Sequence, residues 1–331
     1  MSKKDITVVV PVFNCMAYLT ELLDSLRSQT GPSLEIIAVN DGSTDNSLAI
    51  LENIARHDPR LIIINQHNQG LSVARNTGIT HASSPWIAFA DGDDWLAPNA
   101  LSTWWEQAKR QQLDVLIGNG YAFNAAPQQS QRSPLLHKQP WGQVLTGQQW
   151  VIRSVECNEW PHYAWLQLIR RELLQTHQLA FIPRMLHEDI LWTTQLALAA
   201  QRIGYCAHPF YGYRANPESI THSHETQALL RRASSYIHII KGLVDIAETK
   251  EPALRHALLR HANQESRHFL GLMRKQLPVS SARSALAAEF GHLGLYPALF
   301  RGIGNIHEFW QALRCSLILA RYAQQTHLLP K

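Results

Sequence analysis

Pro85-Trp-Ile-Ala-Phe-Ala-Asp-Gly-Asp-Asp-Trp95 passes from an apolar run into three carboxylates within four positions. A short apolar stretch that ends abruptly in charge reads as a buried strand whose carboxyl end reaches a ligand-binding edge. If strand alternation continues past Ala90, Asp91 and Asp93 point the same way, and Gly92 lets the backbone come close to a ligand. Like charges at this density call for a cation. Hard oxygen donors at this spacing suit Mg²⁺ or Mn²⁺, which bind through one or two carboxylates plus substrate phosphates. The same residues also allow a plain polar loop or helix cap, with Asp94 capping a segment that starts near Ala97.

Upstream, the first 120 residues alternate β-branched runs with amphipathic stretches. Ile6–Val12, Leu34–Val39, Leu61–Asn65, Trp86–Ala90 and Asp114–Gly118 read as strands. Between them Leu19, Leu22, Leu23 and Leu26, then Leu48, Leu51, Ile54 and Ala55, fall at helical spacing. This βαβαβ pattern predicts an α/β chain with a Rossmann-like, doubly wound and mostly parallel sheet, its ligands at the carboxyl ends of the strands. Downstream, Tyr121 to about Gln143 reads as a loop. Helical patterning returns at Thr146–Val155, Arg171–His177 and Glu188–Ala200, with a short strand at Ile203–Ala207. Beyond His222 it is helical almost throughout, broken at Glu251-Pro252, at Pro278 and over Gly291–Gly304.

Polar motifs follow each strand. After the first stands Pro11-Val-Phe-Asn14, with no glycine where a dinucleotide fold needs several, which argues against an NAD or FAD site. After the second comes Asn40-Asp-Gly-Ser-Thr-Asp-Asn-Ser47. Thr44 or Asp45 suits a helix cap there, whereas Asp41 at the strand tip is better explained as a base or ribose contact. After the third comes Asn68-Gln-Gly-Leu-Ser-Val-Ala-Arg-Asn-Thr-Gly78, where Arg75 either neutralises a phosphate or forms a surface ion pair.

Composition bounds the rest. The chain has 331 residues, 45% hydrophobic and 17% charged, an ordinary globular balance. Four scattered cysteines suggest neither a zinc site nor a disulfide framework and fit a reduced, cytoplasmic setting. The start is too short in apolar residues for a signal peptide, and no stretch approaches the roughly 18 apolar residues of a membrane span. Nothing supports nucleic-acid binding: there is no aromatic-interleaved basic groove and no zinc-finger spacing.

These motifs, in this order and at these strand ends, resemble the family 2 glycosyltransferases with the GT-A fold over roughly residues 5–225. The resemblance implies a nucleotide-sugar half over about 1–120 and an acceptor half over about 121–222. It implies that Pro11, Phe13 and Asn14 line a nucleoside pocket and that Asp41 contacts uracil or ribose. Arg75 then lies near the diphosphate, Asp91 at the ribose, and Asp93 on the Mg²⁺ or Mn²⁺ that bridges the phosphates of a UDP-sugar. His187-Glu-Asp-Ile190 resembles the family's Glu-Asp motif, which makes Asp189 the general base, with Glu188 a further candidate; taken alone, both are favourable charges at a helix N-terminus. Tyr211-Gly-Tyr-Arg214 and Ser219-Ile-Thr-His-Ser-His224 resemble the closing elements. They make Arg214 a candidate and put His224 or His222 in the metal shell, with a surface histidine the competing assignment.

A finer resemblance joins Val144–Gly147, Trp160–Trp165 and Glu188–Thr194 to bacterial lipopolysaccharide-core transferases that place a uronic acid on an inner-core heptose. It implies UDP-glucuronate as one candidate for the UDP-sugar and a lipid-linked oligosaccharide acceptor, while the Asp-x-Asp pair at a strand end and one candidate base imply metal-dependent, inverting transfer by a single displacement. The sequence departs from the broad family at Gln167, where a lysine or a similar polar residue after Asn is more usual, which bears on the acceptor contacts. Two alternatives are a non-catalytic nucleotide-sugar-binding scaffold on the same fold and a family 2 enzyme that builds O-antigen, capsule or exopolysaccharide from a hexose donor. A glycoside hydrolase fits poorly, since it needs neither metal nor nucleoside pocket.

Residues 223–331 read as a helical C-terminal region. From Glu251 to Lys331 there are ten Lys/Arg and four Asp/Glu, while residues 1–250 carry 20 basic and 22 acidic groups. The excess of positive charge, with Phe300, Phe309, Trp310, Leu317 and Ile318, suggests docking on an anionic membrane surface, peripheral on the cytoplasmic face of the inner membrane. Packing on the chain's own core is the competing use.

Overall fold

The computed structural model describes residues 4–124, 126–127, 130–215, 225–277 and 280–324. Ile6–Val12 (β1) and Leu34–Asp41 (β2) are buried along their whole length, as strands covered on both faces must be. Leu61–Gln66 (β3) is only partly buried and forms the sheet edge, while Trp86–Phe89 (β4) is wholly buried. The sheet is completed by Trp95–Leu96 (β5), Val115–Phe123 (β6), Gln167–Arg170 (β7) and Ile203–Arg214 (β8). Its order is β3-β2-β1-β4-β7-β6-β8-β5. β1 runs parallel to β2 and β4, β2 to β3, and β6 to β8; β7 is antiparallel to both β4 and β6, and β5 to β8.

Met16–Arg27 (α1), Ser47–Ala55 (α2) and Leu71–His81 (α3) follow the first three strands, and Ala100–Arg110 (α4) precedes β6. Gly147–Glu156 (α5), Arg171–Thr176 (α6) and Glu188–Ala199 (α7) complete this part of the chain. The mostly parallel α/β sheet and its alternation are those expected from the sequence.

The short β5 is not among the expected strands, and three further elements differ. β6 runs on to Phe123 and takes Tyr121 out of the expected loop. β7, four residues long, is not legible beside the helical pattern that follows it. β8 continues past Ala207 to Arg214 because the sheet absorbs His208-Pro209 in an irregularity opposite Ile117 to Gly120. Asn119, buried there, fills the gap. Its Nδ2 donates to the carbonyls of Leu136 (2.9 Å) and Ala207 (3.1 Å), and its Oδ1 accepts the Leu136 N–H at 3.0 Å.

The chain divides into two compact units. One comprises Met1–Trp150, Pro161–Arg184 and Trp192–Pro217; the other comprises Val151–Trp160, Met185–Leu191 and Glu218–Lys331. The second is built on Thr226–Glu248 (α8), Pro252–Lys275 (α9), Ser280–His292 (α10), Leu295–Arg301 (α11) and Ile306–Gln324 (α12). The break at Glu251-Pro252 is a helix start, with Pro252 in the first turn, where no N–H is needed. The glycine-rich stretch from Gly291 to Gly304 encloses a helix, α11, between its breaks.

On α9 the buried Glu265 lies between two imidazoles, His261 Nε2 at 3.2 Å and His268 Nδ1 at 3.1 Å. Burial opposes its charge, but the two imidazoles, His268 through a hydrogen bond and His261 through its close approach, outweigh burial and hold the carboxyl below its usual range. His268 is raised, chiefly by the hydrogen bond to Glu265. A depressed carboxyl stabilises the fold fully above its ordinary value of 4.5 and less as pH falls; a raised imidazole does so fully below 6.5 and less as pH rises. The cluster therefore contributes most between these values. Glu265→Gln should lower stability there by about 1–3 kcal/mol and flatten the acid limb of a Tm–pH profile. An unchanged profile would show that the cluster is not stabilising.

Candidate active site

The chain leaves β4 after Ala90, whose N–H still bonds Val9 O at 3.0 Å, and turns at once: the Asp94 N–H donates to Asp91 O at 3.1 Å. Asp91, Asp93 and Asp94 therefore sit on a tight turn, so the strand-alternation argument for their direction does not hold. Gly92 serves a different purpose from the one expected. A Cβ there would meet Cys15 Sγ at 2.7 Å, so the glycine is needed for close packing against the start of α1.

Asp94 caps no helix. α4 starts at Ala100 with Asn99 before it, in the left-handed region. Instead the Asp94 carboxylate is buried, accepting the Tyr211 hydroxyl at 2.7 Å and the Arg214 backbone N–H at 2.8 Å. The Tyr211 hydroxyl in turn accepts the Asp91 N–H at 3.1 Å. Burial, then the charges of Asp93 and Asp91, push the Asp94 carboxyl well above its usual range; burial and Asp94 likewise raise the Tyr211 phenol. The end of β8 thus holds the turn from beneath.

Arg214 extends this clamp. Its Nε donates to the Asp93 carbonyl at 2.7 Å, its Nη2 pairs with the Glu21 carboxylate of α1, and its guanidinium lies 4.5 Å from the ring centroids of both Tyr18 and Phe123. From α3, Arg75 reaches Asp91 Oδ1 at 2.8 Å, with Phe181 beside it at 5.3 Å. Arg75 is 2% exposed, so this pair is internal and not the surface pair that the sequence allows. Asp93 is partly exposed.

The other strand-end motifs converge on their own loops. Asp41 is buried, and its oxygens accept Gln66 Nε2 (2.7 Å), Gln69 N–H (2.9 Å) and Gly70 N–H (2.8 Å), fixing the loop that leads into α3. Asn14 adopts a left-handed backbone, which asparagine tolerates, and its Oδ1 accepts the Thr44 and Asp45 N–H groups at 2.8 and 3.3 Å. Asp45 is the residue that serves helix starts, accepting Met16 N–H of α1 and Ser47 N–H of α2. The loops after β1 and β2 are thereby joined. Pro11 is buried in β1, whereas Phe13, two residues on, is 44% exposed.

Behind the turn, Tyr163, Trp165 and Tyr213 form a stack. Trp165 lies 4.8 Å from Tyr163, 5.7 Å from Tyr213 and 4.4 Å from Tyr211. Gln167 is fully buried, its Nε2 donating to Thr193 Oγ1 (2.8 Å) and its Oε1 accepting Trp192 Nε1 (2.9 Å). Its departure from the family pattern is thus accommodated inside the fold, as a link between β7 and α7.

In the second unit, Glu188 and Asp189 occupy the first turn of α7, Glu188 buried and Asp189 partly exposed, and the Ile190 N–H donates to His187 O. Asp189 is close enough to Tyr236 for its charge to help raise that phenol, to about 12, after burial and Glu265. His222 and His224 lie outside the described residues. Among the described residues no group of three or more His, Cys, Asp or Glu is arranged to hold a metal ion.

Sequence alone does not single out Tyr211 or Glu21. Tyr211 carries a signal, its place in the Tyr211–Arg214 motif; Glu21 carries none, since it looks like any polar residue on an amphipathic helix.

The family sequence model for glycosyl transferase family 2 matches residues 7–192. The chain belongs to glycosyltransferase family 2. The Escherichia coli K12 protein named uncharacterized glycosyltransferase YibD is 29% identical over 329 residues, covering 98% of this chain and 95% of that protein. Among solved structures, S. aureus TarS superposes with a TM-score of 0.69 at 19% identity, covering 97% of this glycosyltransferase and 92% of that chain. TarS bound to UDP-GlcNAc gives a TM-score of 0.59. The Pyrobaculum calidifontis mannosyltransferase PcManGT, solved with GDP-Man and Mn²⁺, gives 0.55 at 17% identity, covering 97% of this chain and 87% of that one. The α/β unit thus has the GT-A fold, and the polypeptide is a glycosyltransferase.

Proposed function

We propose that this glycosyltransferase moves a sugar from a UDP-sugar to a lipopolysaccharide-core acceptor in a single, metal-dependent, inverting displacement. The observation that carries it is the Asp91–Asp94 turn at the carboxyl end of β4, held by Tyr211, Arg214 and Arg75. Three carboxylates meet there, and each arginine is already paired, with Asp91 or with Glu21. The hard oxygen donor on partly exposed Asp93, beside two further aspartates on the same turn, fits a divalent cation. Asp93 would hold it, with His224 as a further ligand. When bound, such a cation neutralises charge on the diphosphate leaving group.

The chain's own residues supply the rest. Arg75 fixes the Asp91 carboxylate for the ribose, and Asp41 holds the β3–α3 loop that flanks the nucleoside, with Phe13 and Asn14 beside it. Asp189 takes the proton from the acceptor hydroxyl as its oxygen attacks the anomeric carbon. One base and one attack imply inversion. The similarity of Val144–Gly147, Trp160–Trp165 and Glu188–Thr194 to core transferases favours a uronic acid as the sugar and a heptose as acceptor. TarS, solved with UDP-GlcNAc, supports a uridine nucleotide as the carrier.

NMR of the product made from a UDP-α-sugar should show a β linkage. An α-linked product would overturn the single displacement. Mass spectrometry of core oligosaccharide from a deletion strain should show loss of one uronic acid; an unchanged core would remove this acceptor.

A further inference from the structure

We propose that the outward face of α12 docks the enzyme, in the plane of the interface, on an anionic lipid bilayer. The helix packs into its own unit through Ala312, Cys315 and Leu319, spaced three and four residues apart. On the other side Ile306, Trp310 and Leu317 are 72%, 60% and 54% exposed. Their spacing of four and seven residues puts them on one stripe about three turns long. Single exposed apolar residues are ordinary, but large ones aligned on one helix face mark an interaction surface.

Charge identifies the partner. Arg314 and Arg321 are exposed along the edge of the same stripe. The one carboxylate on α12, Glu308, turns inward to Arg260, whose Nη2 and Nε lie 2.6 and 2.9 Å from it. The outward face therefore offers apolar side chains and guanidinium groups with no carboxylate among them. Two copies of it would set like charges together, whereas an anionic headgroup layer complements it. Tryptophan is at home at such an interface. Among the described residues no helix is long and apolar enough to cross a membrane, so the contact is one of a helix lying on the surface.

The test is co-sedimentation of the full chain with phosphatidylethanolamine/phosphatidylglycerol vesicles and with phosphatidylcholine vesicles, at low and high salt. Binding should favour the anionic vesicles and weaken with salt. Arg314→Gln with Arg321→Gln should weaken it about 25-fold, at roughly fivefold per cation. Trp310→Gln with Leu317→Gln should weaken it at least about tenfold. All four positions are exposed, so melting curves should not move. Absence of binding to anionic vesicles at low salt would overturn the proposal, as would unchanged binding by the Trp310/Leu317 variant. So would self-association in sedimentation velocity that this variant abolishes, which would assign the face to a second copy. The readout is partitioning and not turnover, so it can fail without touching the transferase assignment.

Discussion

Asp93→Asn leaves the chain folded and lowers sugar transfer by about 10²–10³-fold, because a metal's charge stabilisation amounts to several kcal/mol and each 1.36 kcal/mol is a factor of ten. Folding survives because Asp93 joins the Arg214 clamp through its backbone carbonyl, which asparagine keeps. Removing the Asp93 charge also relieves one of the two repulsions that add to burial in raising Asp94. The variant should therefore melt at or above the wild-type temperature while losing turnover. A fall in Tm that accounts for the lost activity would mean that Asp93 is structural, and full activity at an unchanged Tm would mean that the cation is held elsewhere.

Asp189→Asn is the companion experiment. Asparagine preserves shape but cannot accept the proton, and loss of a general base lowers kcat by about 10²–10⁴-fold. As one of two acidic groups in the first turn of α7, Asp189 also interacts with the helix dipole, at about 0.3–1 kcal/mol, so the stability effect is small. The two variants should differ in one respect. Asp93→Asn should weaken nucleotide binding, whereas Asp189→Asn should leave it unchanged and affect kcat alone. A kcat near wild type on the true acceptor would reduce Asp189 to a helix-end charge.

The strands and their polar ends are legible because each reports itself locally: a β-branched run, then an abrupt change to Asp, Asn or Gly. Partners distant in sequence are not. The Tyr211 hydroxyl meets the Asp94 carboxylate across 117 positions, and no local pattern distinguishes that carboxylate from a helix cap. Gly92 looks like a place for a ligand until Cys15 is seen to occupy the space its Cβ would need. β8 reads as ending at Ala207 because His208-Pro209 breaks strand alternation, and only the irregular pairing with β6 and the side chain of Asn119 let the strand continue. Asp41 shows a further limit. Its strand-tip position marks it as important, but no local pattern shows that its carboxylate accepts hydrogen bonds from Gln66 at the end of β3 and from Gln69 and Gly70 in the loop that follows.

The most direct test is calorimetric titration of UDP into the full chain in Mn²⁺ and in EDTA, with Asp93→Asn in parallel. A metal-bridged nucleotide predicts tight binding in Mn²⁺, a large loss of affinity in EDTA, and an Asp93→Asn variant whose affinity is low in both. UDP bound equally well by the wild-type enzyme with and without Mn²⁺ would contradict it.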